Sequence, residues 1–508
     1  MATYWRSPII LSLIVLGSLI LFFPFLSTFF SADDFYNMRL VMEDPIGKVI
    51  GSFLFVRNPI FLFYRPLTTQ LFFFLGKELF AFNPLGYHLI SFSLFALSLV
   101  IVYRLGTSIA QNKDTGLLTA FFYAFSASNF TRLAWISQIQ EVTLAACVLL
   151  GSHFFIRYLL EKKTKYWIWT FVFFLISLTA KESAIIFPFY LCILTIFYCY
   201  IGKIKGKIIL TLWPFLLSLI TYGYFRFFSI GVSTGENYFT SFALKNILNT
   251  ALWYTLWSLS LPEQLANFDF FGKNFQPNGE MLHGLASTMP GVMLFFMFLT
   301  FFIICLFLAA LKTLQSYSSQ QRVKVIVMFL LGTSWYILAL VPHLFSPWHK
   351  FSYELGVPLF GISLIMALLV GLAGQSLWTK TKPFSIGSVI IGIFLLVYIV
   401  LSYQTVRVER QTHWVFLRST ISQAIFSYLH KYYPWLPPGT TVAFVNDKIA
   451  TNPQYGLSKQ ISLALAKESA LQLLYGDPTI RVLYEDEGKI SLQPGERIVI
   501  LPSSPFIQ

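Results

Sequence analysis

The chain has 508 residues, of which 56% are hydrophobic, 18% are aromatic and 11% are charged. This composition lies outside the range of water-soluble globular proteins and predicts a polytopic membrane protein. The net charge of +14 does not indicate nucleic-acid binding, because the lysines and arginines cluster in short polar segments between apolar runs.

Eleven apolar segments are candidates for membrane-spanning helices, each of which needs about 20 residues to cross a bilayer. The segment at 8–30 is interpreted as a retained signal anchor, since it is too long for a cleaved signal peptide. Two others, 115–130 and 166–180, are short. The remaining candidates are 84–109, 139–160, 184–202, 208–230, 288–311, 325–345, 351–374 and 385–404.

Cations between alternate apolar segments indicate the orientation of the chain. By the positive-inside rule they mark the cytoplasmic side and place the amino terminus there. The loop at 31–83 and the segment from Thr405 onward are therefore predicted to lie outside the cytoplasm. The fourteen cations are Arg6, Arg104, Lys113, Lys162, Lys163, Lys165, Lys203, Lys205, Lys207, Lys312, Arg322, Lys324, Lys380 and Lys382.

The first outer loop contains two segments with apolar residues at helical spacing, IGKVIGSFLF and PLTTQLFFFLGKELF. This pattern is typical of helices that lie along a membrane surface. The stretch at 238–260 carries Trp253, Tyr254 and Trp257, and aromatic side chains favour the headgroup region. It is interpreted as a further interfacial or re-entrant segment and not as a full span.

The composition changes near Val406. The segments GTTVAFVND, IRVLYED and RIVILP read as strands, and SLALAKESALQLLYG reads as one amphipathic helix that ends at glycine. The predicted fold is therefore an α-helical membrane domain at 1–404, with about eleven transmembrane helices, followed by a small extracytoplasmic α/β domain at 405–508. The small domain has no phosphate-binding loop, dinucleotide fingerprint or zinc-spaced residues.

Polar residues recur at the predicted outer ends of the spans. Because a charged side chain within lipid costs ~2.5–3.5 kcal/mol, such residues usually pair or line a shared cavity. Each alone also fits a structural role, such as a solvated helix terminus, an ion pair between helices or a headgroup contact. The set comprises Asp33, Asp34, Tyr64, Arg65, Arg132, Gln138, Gln140, Glu141, Lys181, Glu182, His349, Lys350, Tyr353 and Glu354.

The order of these motifs resembles the GT-C superfamily of membrane glycosyltransferases, in particular the branch of protein O-mannosyltransferases and their bacterial relatives. The motifs are the Asp-Asp pair after the first span, then YRPL, NPLGYHL, AWISQIQE, AKES and a Lys-x-x-Tyr sequence that begins at Lys350. The resemblance covers residues 1–404. This chain departs from the family where Lys350-Phe351 stands for the common Arg-Tyr. It also lacks the tetratricopeptide repeats of some relatives and the Trp-Trp-Asp signature of oligosaccharyltransferases.

The resemblance implies an inverting glycosyltransferase that moves one sugar from a polyprenyl-phosphate-linked donor to a hydroxyl-bearing acceptor. The acceptor would be a protein, glycolipid or polysaccharide of the cell envelope. The expected location is the plasma membrane of a prokaryote, in contact with membrane lipids, with the active site on the extracytoplasmic side.

The same resemblance implies roles for the residues. Asp33 is the candidate base that removes the acceptor proton, and Asp34 is the second catalytic carboxylate. The departing phosphate would meet Arg65, Lys181, His349 and Lys350. The supporting residues are Tyr64, Gln138, Glu141, Glu182 and Tyr353. No cofactor is required because the phosphodiester is already a good leaving group, although Asp34 or Glu182 also suits a divalent cation.

Two other functions remain open at the level of sequence. A transporter or flippase for a lipid-linked substrate would also place ionisable groups in a membrane domain, but near the midplane rather than at the outer ends. A noncatalytic assembly subunit would retain the fold without the reaction. The C-terminal domain would either gate or select the acceptor, or serve as a stabilising cap.

Overall fold

The computed structural model describes residues 2–55, 63–231, 240–264, 283, 287, 289–377, 386–448, 456–488 and 497–507. Helices α1 to α6 are Ala2–Phe22, Asp33–Leu40, Ile46–Gly51, Phe72–Phe80, Pro84–Ala110 and Lys113–Phe125. Helices α7 to α12 are Asn129–Ala134, Ile139–Glu161, Thr164–Ala180, Phe187–Tyr200, Trp213–Phe225 and Leu244–Ser258. Helices α13 to α19 are Pro290–Ser316, Ser319–Leu344, Pro358–Leu377, Ile386–Thr412, Trp414–Tyr432, Leu457–Leu465 and Ser469–Tyr475. Strands β1 to β3 are Thr441–Val445, Arg481–Tyr484 and Ile498–Pro502.

Each of the eleven predicted spans overlaps a helix, and nine segments of the described chain are long and apolar enough to cross a membrane. The two segments that fall short are α6 and α9, which the sequence already indicated as short. The Asn129 amide ends α6 by donating hydrogen bonds to the carbonyls of Tyr123, at 2.7 Å, and Ser126, at 3.1 Å. Lys163 and Lys181 flank α9 and limit it to 17 residues. The predicted fold class, a polytopic α-helical membrane protein with a small C-terminal α/β domain, is confirmed.

The membrane helices share one large hydrophobic core. At one crossing, Gly361 of α15 lies so close to Gly332 of α14 that a Cβ atom on Gly361 would be 2.5 Å from the Gly332 carbonyl oxygen. Small residues at such crossings allow membrane helices to approach backbone to backbone. The segment at 345–357 connects α14 to α15, so this crossing holds both ends of the connecting segment in place.

The C-terminal domain contains a three-stranded parallel sheet in which β1 lies between β2 and β3. All three predicted strands are present. The single predicted helix is instead two helices, α18 and α19, because Ala466 and Lys467 adopt positive φ angles of 50° and 58°. The Lys467 N–H donates to the Ser462 carbonyl at 2.9 Å and closes the end of α18. Gly476, with φ of 64°, ends α19 as predicted.

A second hydrophobic core joins the first loop to the C-terminal domain. The predicted domain boundary at 404/405 lies inside α16, which continues to Thr412 before α17 begins at Trp414. The loop side of this core includes Phe30, Phe35, Met38, Val41, Val49 and Phe73. The C-terminal side includes Ile421, Ile425, Phe426, Leu429, Phe444, Ile461, Leu465, Leu471 and Leu501. The two regions therefore pack as one unit.

Candidate active site

The acidic pair lies at the start of α2, on a tight turn. Ala32 precedes the helix with a positive φ of 49°, and its N–H donates to the Ala464 carbonyl of α18 at 2.8 Å. The Asp34 Oδ2 atom accepts the Ser31 N–H at 3.0 Å and closes the turn. Carboxylates are favoured here because the first turn of a helix exposes unpaired N–H groups.

Asp34 is buried, with 1% of its surface exposed, and both of its carboxylate oxygens accept hydrogen bonds. Its Oδ1 atom accepts the Ser137 N–H at 2.7 Å and the Ser137 hydroxyl at 2.6 Å. Burial raises the pKa of Asp34 to about 7, although the hydrogen bonds from Ser137 and Ser31 act in the opposite direction. Asp34 thus ties the turn to the segment between α7 and α8.

Replacing Asp34 by Asn is expected to lower stability by about 1–3 kcal/mol, because an amide nitrogen would face a backbone N–H donor and leave it unpaired inside the protein. The measurement is thermal unfolding in detergent at pH 6, below the raised pKa of Asp34, because at higher pH the variant would also remove the cost of burying a charged carboxylate. Asp44→Asn is the matched control, since Asp44 pairs with the exposed Lys48 at 2.6 Å and such surface pairs contribute little. Equal unfolding temperatures for the two variants would contradict this role.

Asp33, in contrast, is exposed. Within the described part of the chain, no side-chain hydrogen bond or ion pair engages its carboxylate. The surrounding protein removes enough water to raise the pKa of Asp33, and the positive charges of Arg418 and Arg65 oppose that shift. This carboxylate is therefore accessible, and the charges of two arginines act on it.

Arg65 is held by two acceptors. Its Nε–H donates to the Glu182 Oε2 atom at 2.6 Å and its Nη1–H donates to the Gln140 Oε1 atom at 2.6 Å. Glu182 also accepts the Tyr64 N–H at 3.2 Å, and the guanidinium carbon lies 4.5 Å above the Phe63 ring. Hydrogen bonds from two guanidinium nitrogens to two different acceptors, together with the ring below, fix the plane of the guanidinium group.

Lys181 forms a buried ion pair with Glu141, which lies in the first turn of α8. The Lys181 and Glu141 side chains are 10% and 2% exposed. The Lys181 Nζ atom also lies 5.6 Å from the centre of the Tyr353 ring. Lys181 and Glu182 therefore pair with other elements and not with each other.

The connecting segment at 345–357 contributes aromatic and ionisable groups. Tyr353 stacks on Phe351 at 4.9 Å and meets Trp135 edge-on at 6.0 Å. Burial lowers the pKa of His349, an effect that the charge of Glu354 opposes. The Lys350 Nζ atom donates to the Pro347 carbonyl at 3.0 Å.

Electrostatic interactions connect most of the predicted site residues. The negative charge of Asp33 raises the pKa of Tyr353, and the positive charge of Arg65 lowers the pKa of Asp33. The positive charges of Arg65 and Lys181 both lower the pKa of His349. The structure thus brings together the acidic turn, YRPL, AKES and the late motif. Gln138 lies next to this group, at the segment that holds Asp34, and its Oε1 atom is buried with no hydrogen-bond partner among the described residues.

Other residues of this region were not identified from the sequence. Arg418 of α17 acts on Asp33 from the C-terminal domain. Glu354 accepts hydrogen bonds from His343, at 3.1 Å, and from the Tyr254 hydroxyl group. No local sequence pattern indicates Arg418, whereas Glu354 belonged to the polar set but was given no role.

A buried cluster of two glutamates and one histidine lies next to the connecting segment. His413 Nε2 is 3.1 Å from the Glu263 Oε1 atom, and His413 Nδ1 caps α17 by accepting the Val415 N–H at 3.3 Å. The Glu263 Oε2 atom accepts the Ser352 N–H at 2.8 Å. Glu409 accepts the Glu263 N–H. This group joins the start of α17 to the segment that carries Tyr353.

Among the described residues, no group of three or more histidine, cysteine, aspartate or glutamate side chains is arranged to hold a metal ion.

Residues 64–226 match the family model described as dolichyl-phosphate-mannose-protein mannosyltransferase. This region contains YRPL, AWISQIQE and AKES, and the match confirms the predicted resemblance to GT-C membrane glycosyltransferases of the protein O-mannosyltransferase branch. The comparison with curated proteins finds no match.

Similar solved structures include the oligosaccharyltransferase AglB of Archaeoglobus fulgidus, in complex with an inhibitory peptide and a dolichol-phosphate. The identity to AglB is 13%, the TM-score is 0.47, and the match covers 94% of this chain and 65% of AglB. ArnT of Cupriavidus metallidurans, bound to undecaprenyl phosphate, is another. Its identity is 10%, its TM-score is 0.49, and the match covers 98% of this chain and 90% of ArnT.

Proposed function

We propose that the protein is an inverting glycosyltransferase that moves a single sugar from a polyprenyl-phosphate-linked donor to a hydroxyl group of a cell-envelope acceptor. The reaction takes place on the extracytoplasmic face of a prokaryotic plasma membrane. The observation that carries this proposal is the Asp33 carboxylate, which is exposed at the start of α2 and on which the positive charges of Arg65 and Arg418 act. The family match over residues 64–226 supports the donor class, because dolichyl-phosphate-mannose is a polyprenyl-phosphate sugar.

In this reaction Asp33 removes the proton of the acceptor hydroxyl group. The hydroxyl oxygen forms a bond to the anomeric carbon, and the bond from that carbon to the phosphate oxygen breaks. The electron pair leaves with the polyprenyl phosphate, so the anomeric configuration inverts in a single displacement. A base with a pKa near or below the working pH is needed, and the positive charges of the two arginines oppose the rise in the pKa of Asp33 that burial causes.

Arg65 is the principal cation for the leaving phosphate. Glu182 and Gln140 hold its guanidinium group in a fixed orientation, so little reorganisation accompanies the charge that develops during transfer. Both cations are paired with a carboxylate, but the pair of Lys181 with Glu141 is more deeply buried, with side chains 10% and 2% exposed against 17% and 22% for Arg65 and Glu182. Lys181 is therefore the weaker candidate for direct contact. Asp34 positions the turn through Ser137 and Ser31 rather than touching the substrates.

The test is an assay of purified protein with a panel of polyprenyl-phosphate-linked sugars and hydroxyl-bearing acceptors. We expect release of polyprenyl phosphate only when both substrates are present, and mass spectrometry of copurified lipids should detect the donor or its lipid product. Protein-free liposomes are the control for spontaneous hydrolysis and lipid exchange. Movement of lipid across liposomes with no release of polyprenyl phosphate would instead establish a transporter or flippase.

A further inference from the structure

Helix α17 is attached to both sides of the acidic turn. The Ser419 hydroxyl oxygen accepts the Phe29 N–H at 2.8 Å, and the Ser422 hydroxyl group donates to the Phe30 carbonyl. On the other side of the turn, Phe426 of α17 stacks on Phe35 with ring centres 5.2 Å apart. The position of α17 relative to Asp33 is therefore set by two hydrogen bonds between serine hydroxyl groups and the backbone and by aromatic packing.

The Arg418 side chain is held in place on α17 by an aromatic neighbour. Its guanidinium carbon lies 4.7 Å above the ring of Trp414, one helical turn earlier. Trp414 meets Trp135 edge-on at 4.8 Å, and Trp135 lies two residues before Ser137, which holds Asp34. The half-buried cation is thus held by the scaffold that also holds the acidic turn.

The positive charge of Arg418, like that of Arg65, lowers the pKa of Asp33 and so opposes the effect of burial. No described pair of atoms joins Arg418 to Asp33 within ion-pair distance, so the attraction acts across a gap. The carboxylate oxygens consequently stay available to an incoming hydroxyl group. Direct pairing, as in Arg65 with Glu182, would have occupied them.

We propose that Arg418 is a positioning residue for the transfer reaction: α17 holds this cation beside the acidic turn, from the C-terminal side of the site, and Arg418 acts on Asp33 without pairing with it. The C-terminal domain then completes the active site, a role distinct from acceptor gating or simple capping. This inference rests on the proposed function, because it takes Asp33 as the base.

The other groups that face Asp33 must be included in any effect of pH. Asp34 and Tyr36 lie on the same helix, and the charge of Asp33 acts on both. Arg65 faces Asp33 from the YRPL segment, and Tyr353 faces it from the connecting segment. When Arg418 is removed, Arg65 remains as the cation that opposes protonation of Asp33 among the described residues.

The first experiment compares the pH profiles of kcat/KM for wild type, Arg418→Met and Arg418→Lys. Loss of the positive charge favours protonation of Asp33, so the acidic limb of the Met variant should move to higher pH by about one unit, with activity recovered under alkaline conditions. The Lys variant should retain the wild-type limb, and KM for the donor should not change. Lys431→Met is the matched control, because Lys431 is exposed on the same helix and lies 4.9 Å above the ring of Tyr432.

A second measurement does not depend on turnover. Carbodiimide activation with an amine labels protonated carboxyl groups, and peptide mass spectrometry reports the labelled fraction of Asp33 at each pH. Arg418→Met should move the labelling midpoint upward by the same amount as the kinetic limb, whereas Lys431→Met should not. If wild-type protein transfers sugar but neither midpoint moves, this proposal alone is overturned. If wild-type protein transfers no sugar, the proposed function fails and this inference fails with it.

Discussion

Sugar transfer by an Asp33→Asn variant is expected to fall about 1,000-fold, because an amide cannot accept the acceptor proton and general base catalysis typically contributes 10²–10⁴-fold. Binding of the donor should be retained, since the proposed phosphate contact is Arg65. The measurement is single-turnover release of polyprenyl phosphate at saturating donor, together with donor affinity from lipid copurification.

The Asp33→Asn variant should unfold at the wild-type temperature. Asn has the shape of Asp, and no described hydrogen bond or ion pair depends on the Asp33 carboxylate. Asp44→Asn is the control in the same loop, where the carboxylate pairs with the exposed Lys48, and it should transfer sugar normally. Transfer by Asp33→Asn at the wild-type rate would show that another group is the base.

Features that depend on nearest neighbours in the sequence were predictable. The apolar runs gave the spans because a bilayer requires a minimum helix length, and alternation of apolar residues gave the strands of the C-terminal domain. The spans also explain why distant motifs meet, because loops that leave the bilayer on the same side are confined to the same thin layer next to the membrane. This is why YRPL and AKES, more than a hundred residues apart, are joined by the pair of Arg65 with Glu182.

The partners within that group were less predictable. Lys181 and Glu182 are adjacent, yet Lys181 has an extended backbone, with φ of −160° and ψ of 146°, which turns successive side chains in opposite directions. Lys181 therefore reaches Glu141 of α8, and Glu182 reaches Arg65. Such pairings follow from backbone angles at a helix end, which residue types alone do not specify.

Arg418 was missed for a different reason. It approaches Asp33 only because the C-terminal domain shares a core with the first loop, and that docking depends on contacts such as the stacking of Phe35 on Phe426. An amphipathic helix after the last span shows an apolar face, but the sequence does not specify which surface that face covers. The buried pair of Glu263 with His413 depends on tertiary packing in the same way.

Lys181→Met is expected to lower the free energy of unfolding by about 3–5 kcal/mol, because it leaves the carboxylate of Glu141 buried without a counter-ion. The Glu141→Gln variant should be destabilised through the opposite defect, an unpaired buried ammonium group. The double variant removes both charges and should recover much of the loss, since replacement of a whole buried pair is often nearly neutral. A double-mutant cycle of denaturant unfolding in mild detergent measures this coupling.

The same helix offers a matched control for that cycle. Glu161, in the last turn of α8, pairs with Lys163 at 2.9 Å, but these side chains are 32% and 59% exposed. Exposed pairs contribute about 0–1 kcal/mol, so Lys163→Met should have little effect on unfolding. If Lys181→Met is no more destabilising than Lys163→Met, then Glu141 does not need its partner for stability. Lys181 would in that case be available to the leaving phosphate, and the assignment of Arg65 as the principal cation would have to be revised.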